Sequence, residues 1–128
     1  MDYWLRQRSF DEGLRGVVIE IGEAMAQIVV ENNTIRVQAG ATNETVAKVA
    51  CEAGLSGYEF ASGIPGSIGG AAIMNAGAYD GEFKDVARKV TCLYPDGSVQ
   101  ELDAEQANWG YRHSMMGDKG LIVLDVLL

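Results

Sequence analysis

Residues 63–79, GIPGSIGGAAIMNAGAY, hold five glycines around one proline and one asparagine. Glycine inside a packed element costs roughly 0.5–1 kcal/mol relative to alanine, so such a run marks a place where something comes close to the backbone. Six of the chain's sixteen glycines fall between Gly63 and Gly81, a local concentration rather than a bias of composition. In one reading the missing Cβ atoms let backbone N–H groups face an anion, with a helix start behind them adding its positive dipole end. PGSIGGAAIM fits a tight turn entering a short helix, with Ser67 as its cap or as a donor to a phosphate oxygen. In the other reading the run is a sharp loop where a helix and a sheet pack closely. No Gly-Lys-Ser/Thr follows, and no G-x-G-x-x-G opens a helix after a parallel strand. Backbone contact with a diphosphate, without a lysine, is the specific chemistry that the pattern leaves.

The flanking sequence predicts an α+β domain. RGVVIEIG (15–22) is a β-branched run ending at glycine, which reads as a strand. AQIVVE and TIRVQAG form a hairpin across Asn32 and Asn33, since asparagine tolerates positive φ. TNETVAKVACEAGL is a helix with Thr42 as N-cap, Glu44 in the first turn, Val46, Val49, Ala50 and Ala53 inward, and Gly54 at its stop. VARKVTCLYPDGSVQELD is a second hairpin turning at Pro95-Asp96-Gly97. DAEQANW gives a short helix capped by Asp103, and LIVLDVLL is a last apolar strand. Hairpins outnumber βαβ units, so the sheet is mainly antiparallel with flanking helices, which argues against a doubly wound fold.

At 128 residues the chain is one domain. Its net charge of −8 argues against nucleic-acid or anionic-membrane partners, which need a basic face, but leaves room for a small anionic ligand. Cys51 and Cys92 are too few for a disulfide framework or a Cys-x-x-Cys metal site, and read as reduced core residues of a cytoplasmic protein. No metal-binding pattern, signal peptide or membrane-length apolar run is present. The start, MDYWLRQRSFDEGLRG (1–16), reads as a segment that packs on something else.

GLSGYEFASGIPGSIGGAAIMNAGAYDGEFKDV (54–86), followed by YRHS (111–114), closely resembles the UDP-N-acetylenolpyruvoylglucosamine reductases. That resemblance implies the second subdomain of a vanillyl-alcohol-oxidase-type (PCMH) FAD-binding domain in a flavoprotein of peptidoglycan synthesis. The family reduces the enolpyruvyl ether of a UDP-sugar to UDP-N-acetylmuramate, with NADPH as hydride donor through FAD. It implies FAD contacts at Ile64, Pro65, Gly66, Ser67, Gly69, Gly70, Asn75 and Gly77. It also implies a catalytic role for Arg112 at the reacting end of the substrate, with Tyr111 shaping that site and Ser114 offering a polar contact. His113 stands at the motif's variable position and is expected to face solvent as a bystander. Met115 and Met116 are expected to pack, and Glu59 and Asp80 have no partner readable from sequence.

Two parts of the family pattern find no match here: a first flavin subdomain with its Gly-Ser-Asn loop, and a substrate domain with the serine that protonates the intermediate. The expectation is therefore a partial FAD-binding domain over residues 1–128, inactive alone, binding FAD weakly or not at all and prone to self-association. A stand-alone flavin- or nucleotide-binding module and another flavin oxidoreductase of the same domain family are the alternatives. NAGAY together with YRHS argues against the second.

Overall fold

The computed structural model describes residues 19–78 and 81–128. The amino-terminal segment, residues 15–18 of the expected first strand and Asp80 lie outside these.

Strands β1 (Ile28–Glu31) and β2 (Thr34–Gln38) pair antiparallel, Glu31 facing Thr34 across the Asn32-Asn33 turn. Asn32 takes φ 55, the left-handed conformation that asparagine tolerates. Helix α1 (Asn43–Glu52) starts where Thr42 Oγ1 accepts the Thr45 N–H at 3.2 Å, and Gly54 at φ 74 follows its end. Helix α2 (Ile68–Met74) starts at Ser67 and stops at left-handed Asn75. A two-stranded ribbon, β3 (Gly77–Ala78) with β4 (Gly81–Glu82), leads to the second hairpin, β5 (Lys89–Leu93) with β6 (Val99–Asp103). Helix α3 (Ala104–Ala107) is capped reciprocally by Asp103 and Gln106, and α4 (Met115–Lys119) by Ser114. Strand β7 (Ile122–Leu127) completes the sheet.

The five-stranded sheet has the order β1-β2-β7-β5-β6 and every pairing is antiparallel, in keeping with the expected α+β class. Its central strand is β7, which is why LIVLDVLL is apolar along its length. One face buries Ile35, Val37, Val90, Cys92, Leu102, Val123 and Val126 with Ile68 and Ala72 of α2, Phe83 and Met116. The other carries an ionic ladder: Arg36 Nη1 lies 2.9 Å from Asp125 and Nη2 3.4 Å from Glu101, which Lys89 approaches at 3.4 Å.

Three expectations are corrected. Residues 19–22 form no strand; they enter a 3-10 turn, Glu23–Met25. The Gly40 N–H bonds Met25 O at 2.7 Å, so this segment is tied down at the end of β2 rather than along a sheet edge. Cys51 is exposed, because the buried arc of α1 runs Asn43, Val46, Ala47, Ala50 and ends there; only Cys92 is a core cysteine. Ala53, expected inward, is the exposed C-cap of that helix.

Candidate functional site

Segment 64–69 runs antiparallel beside 39–43. The Asn43 N–H donates to Gly66 O at 3.0 Å, the Ile68 N–H to Ala41 O at 2.8 Å and the Gly69 N–H to Ala39 O at 3.0 Å. This close approach explains one glycine directly: a Cβ on Gly69 would sit 2.9 Å from the Ala39 Cβ. Gly77 presses on Gly81 O and Gly81 on the Phe60 ring in the same way, at 2.9 and 2.7 Å. The packing reading of the glycine run therefore holds at three positions.

Gly66 differs. Its φ of 111 is a conformation that side chains avoid, it is exposed, and a Cβ there would meet nothing within 4 Å. The first-turn N–H groups of α2 are spent internally, on Ala41 O, Ala39 O and, for Gly70, on Ser67 Oγ at 3.2 Å. The helix start is thus not the open anion site that the sequence suggested. What remains open lies just before it: the Gly66 and Ser67 N–H groups and the Ser67 hydroxyl proton have no acceptor among the described residues. Pro65, exposed beside them, has no N–H, and Ile64 is half-buried. A recess of about 80 Å³, walled by Ile21, Gly69, Gly70, Ile73 and Leu121 and mostly apolar, adjoins Ser67. Three neutral donors beside an apolar slot suit a ligand that carries both an anionic group and a flat apolar part.

The other end of α2 holds YRHS. Trp109 Nε1 donates to Ala72 O and Ser114 Oγ to Ile73 O, each at 2.6 Å. Buried Asn75, at φ 47, donates from Nδ2 to Gly110 O and accepts the Lys84 N–H at Oδ1, each at 2.8 Å. These bonds clamp the turn between Gly110 and His113 onto the helix that Ser67 opens, so two motifs far apart in sequence form one unit. A seven-residue helix is about 10 Å long, which sets the spacing of the two ends. Arg112 takes φ 49 within the turn, and its guanidinium lies over the Tyr111 ring, 5.5 Å from the centroid. Tyr111 is 82% exposed. Both edge an open groove of about 330 Å³ with Asn75, Gly77 and Glu82. No carboxylate pairs with Arg112 among the described residues.

Sequence-predicted residues thus fall into two groups. Gly66, Ser67, Gly70, Tyr111 and Arg112 present groups to open space or to the recesses. Gly69, Asn75 and Ser114 are buried, and the Ser114 hydroxyl is doubly used, donating to Ile73 O and accepting from Gly117 N. His113 faces solvent as expected, and its Nε2 lies 2.7 Å from Asp118 Oδ2 of α4 in an exposed contact. Glu59 has a partner too, the Gly57 N–H at 2.8 Å; its own backbone N–H first, and that of Gly57 second, hold its carboxyl below the usual range. Sequence reasoning missed Asn43, Tyr58 and Trp109. Asn43 directly follows the recognised cap Thr42, the one signal that pointed toward it.

Residues 7–103 match the model of the family described as "FAD binding domain". The UDP-N-acetylenolpyruvoylglucosamine reductase of Syntrophomonas wolfei is 43% identical over 118 residues, covering 92% of this chain and 40% of the relative. That of Lactococcus lactis is 48% identical over 114 residues, 89% of this chain and 38% of the relative. The crystal structure of the reductase (MurB) from Thermus caldophilus superposes with a TM-score of 0.79 at 34% identity, over 91% of this chain and 42% of that one. The chain spans about two fifths of the length of these relatives.

Proposed function

The chain belongs to the FAD binding domain family, and we propose that it is the part of a UDP-N-acetylenolpyruvoylglucosamine reductase that holds one side of FAD and offers Arg112 to the substrate. The observation that carries this is the pair of unspent N–H donors at Gly66, which has no Cβ, and at Ser67, beside an apolar recess. Gly66, Ser67 and Gly70 line the cofactor's path, with Ile64 and Pro65 as its rim. Gly69, Asn75 and Gly77 shape that path by packing. When bound, FAD supplies the hydride that NADPH delivers to it.

Arg112 acts at the other end. Addition of hydride to the β-carbon of an enol ether leaves negative charge on the α-carbon and its carboxylate. A planar, permanently charged guanidinium without an internal carboxylate partner is suited to stabilise that charge. Its left-handed backbone is the kind of strain that functional sites keep. Tyr111 supports the guanidinium face, and Ser114 acts through the turn rather than on substrate. Activity belongs to a whole protein of the relatives' length, placed in the cytoplasm by its nucleotide substrates.

The test is an FAD titration of the 15N-labelled chain. This reading expects shifts concentrated at residues 63–70, weak in affinity and abolished by Gly66→Val, whose side chain disfavours the required φ. Shifts that avoid Gly66 and Ser67, or that survive Gly66→Val, would sink it.

A further inference from the structure

We infer that Asn43, held in place by Tyr58, is a positioning residue for the Ser67 N–H donor; this rests on the reading of the Gly66 and Ser67 donors as part of the FAD site. Pro65 has no N–H, so the loop around it can be anchored chiefly through its carbonyls, and Asn43 is placed against two of them. Its backbone N–H donates to Gly66 O at 3.0 Å, and its Nδ2 lies 3.5 Å from Ile64 O. The first bond has a directional consequence. A trans peptide is planar, with its C=O and the next N–H pointing opposite ways. Turning Gly66 O inward onto Asn43 therefore turns the Ser67 N–H outward, where it finds no acceptor among the described residues.

Asn43 is itself fixed. It is 1% exposed, and its Oδ1 accepts the Tyr58 hydroxyl at 2.9 Å. Tyr58 is buried too, its ring edge-on to Phe60 and Phe83 at 5.3 and 6.3 Å. The neutral phenol persists as a donor, since burial pushes its ionisation far up. Side chains in such a network have a single arrangement, and removal of one member leaves another buried and unpaired. The chain thus runs from the aromatic core through Tyr58 and Asn43 to the direction of one N–H.

Tyr58→Phe removes only the hydroxyl and keeps the ring contacts. Two readouts apply to the chain and this variant: amide hydrogen exchange, and inorganic pyrophosphate binding followed by the Ser67 amide shift. Exchange at Asn43, Ile68 and Gly69 is expected to rise about tenfold, the size of one lost hydrogen bond, while β5 and β7 amides keep their protection. Pyrophosphate affinity is expected to fall several-fold, and Asn43→Ala to exceed Tyr58→Phe in both. Unchanged exchange at Asn43, Ile68 and Gly69 in Tyr58→Phe overturns the inference. So does a rise shared equally by β5 and β7, which would make Tyr58 an ordinary core residue. If pyrophosphate leaves the wild-type Ser67 amide unmoved, the donor reading fails and the inference about positioning falls with it, even where the exchange data still show Asn43 gripping the loop.

Discussion

Asn75 and Gly69 show how single residues set the geometry at the two ends of α2. Asn75 combines φ 47 with two buried bonds, so its contributions separate by substitution. Asn75→Gly keeps the left-handed backbone but leaves the Lys84 N–H and Gly110 O without that partner, a loss of about 1–3 kcal/mol. Asn75→Ala adds the left-handed penalty of about 1 kcal/mol. Urea unfolding should rank wild type above Gly above Ala; equal stability of wild type and Asn75→Gly would show the bonds to be idle. Gly69→Ala brings a Cβ to 2.9 Å from the Ala39 Cβ, and Ala39 is pinned by its own bond to the Gly69 N–H. We expect a loss of about 1–3 kcal/mol, with no loss at Gly63→Ala, where the added methyl meets nothing within 4 Å. The glycine cluster was legible as a close approach, but its partner was not. Sequence shows which residues lack a Cβ, and only the fold shows that Ala39, Gly81 O and Phe60 fill the space at three of them.

Elements were legible where a local signal marked their ends. Thr42, Ser67 and Asp103 each accept a first-turn N–H, and the hairpin turns fall at Asn32-Asn33 and around Gly97. The short helix α4 was not foreseen, because Met115-Met116-Gly117 reads as packing residues and a breaker; Ser114 supplies the cap that makes the helix possible. The stretch 19–22 misled in the opposite sense, since β-branched composition carries no information on whether a neighbouring strand is available. Ser114 links two elements, capping α4 and bonding the last turn of α2. Ser114→Ala should therefore cost more than the typical cap, about 2 kcal/mol, and loosen the Arg112 turn. The His113–Asp118 contact is exposed, at 44% and 61% of the side chains. His113→Ala should change stability by less than about 1 kcal/mol. A larger loss measured by thermal unfolding would promote that contact to a main support of the turn.

At the scale of the whole molecule, the last strand in sequence lies at the centre of the sheet, so the β1-β2 and β5-β6 hairpins are joined into one sheet only through β7. Cys92 sits on this seam, fully buried on β5 opposite Val123 of β7, with Asp125 on the same strand. Burial first, and the Asp125 carboxylate second, push its thiol up from 9.0 to about 11. The unfolded chain therefore releases this proton near pH 9 while the folded one holds it until about pH 11. The stabilisation is complete below pH 9 and is lost as pH rises from 9 toward 11, with a slope of at most about 1.4 kcal/mol per pH unit from this group. Tyr58, whose phenol burial also pushes up from 10.0, adds a loss of the same sign starting about one unit later. Urea midpoints taken from pH 8 to 10.5 should fall in two stages. Cys92→Val, which keeps the volume and removes the proton, should flatten the stage between pH 9 and 10, and Tyr58→Phe the later one. A Cys92→Val profile parallel to wild type between pH 9 and 10 would mean that the thiol ionises alike in both states, and that the seam between β5 and β7 admits water.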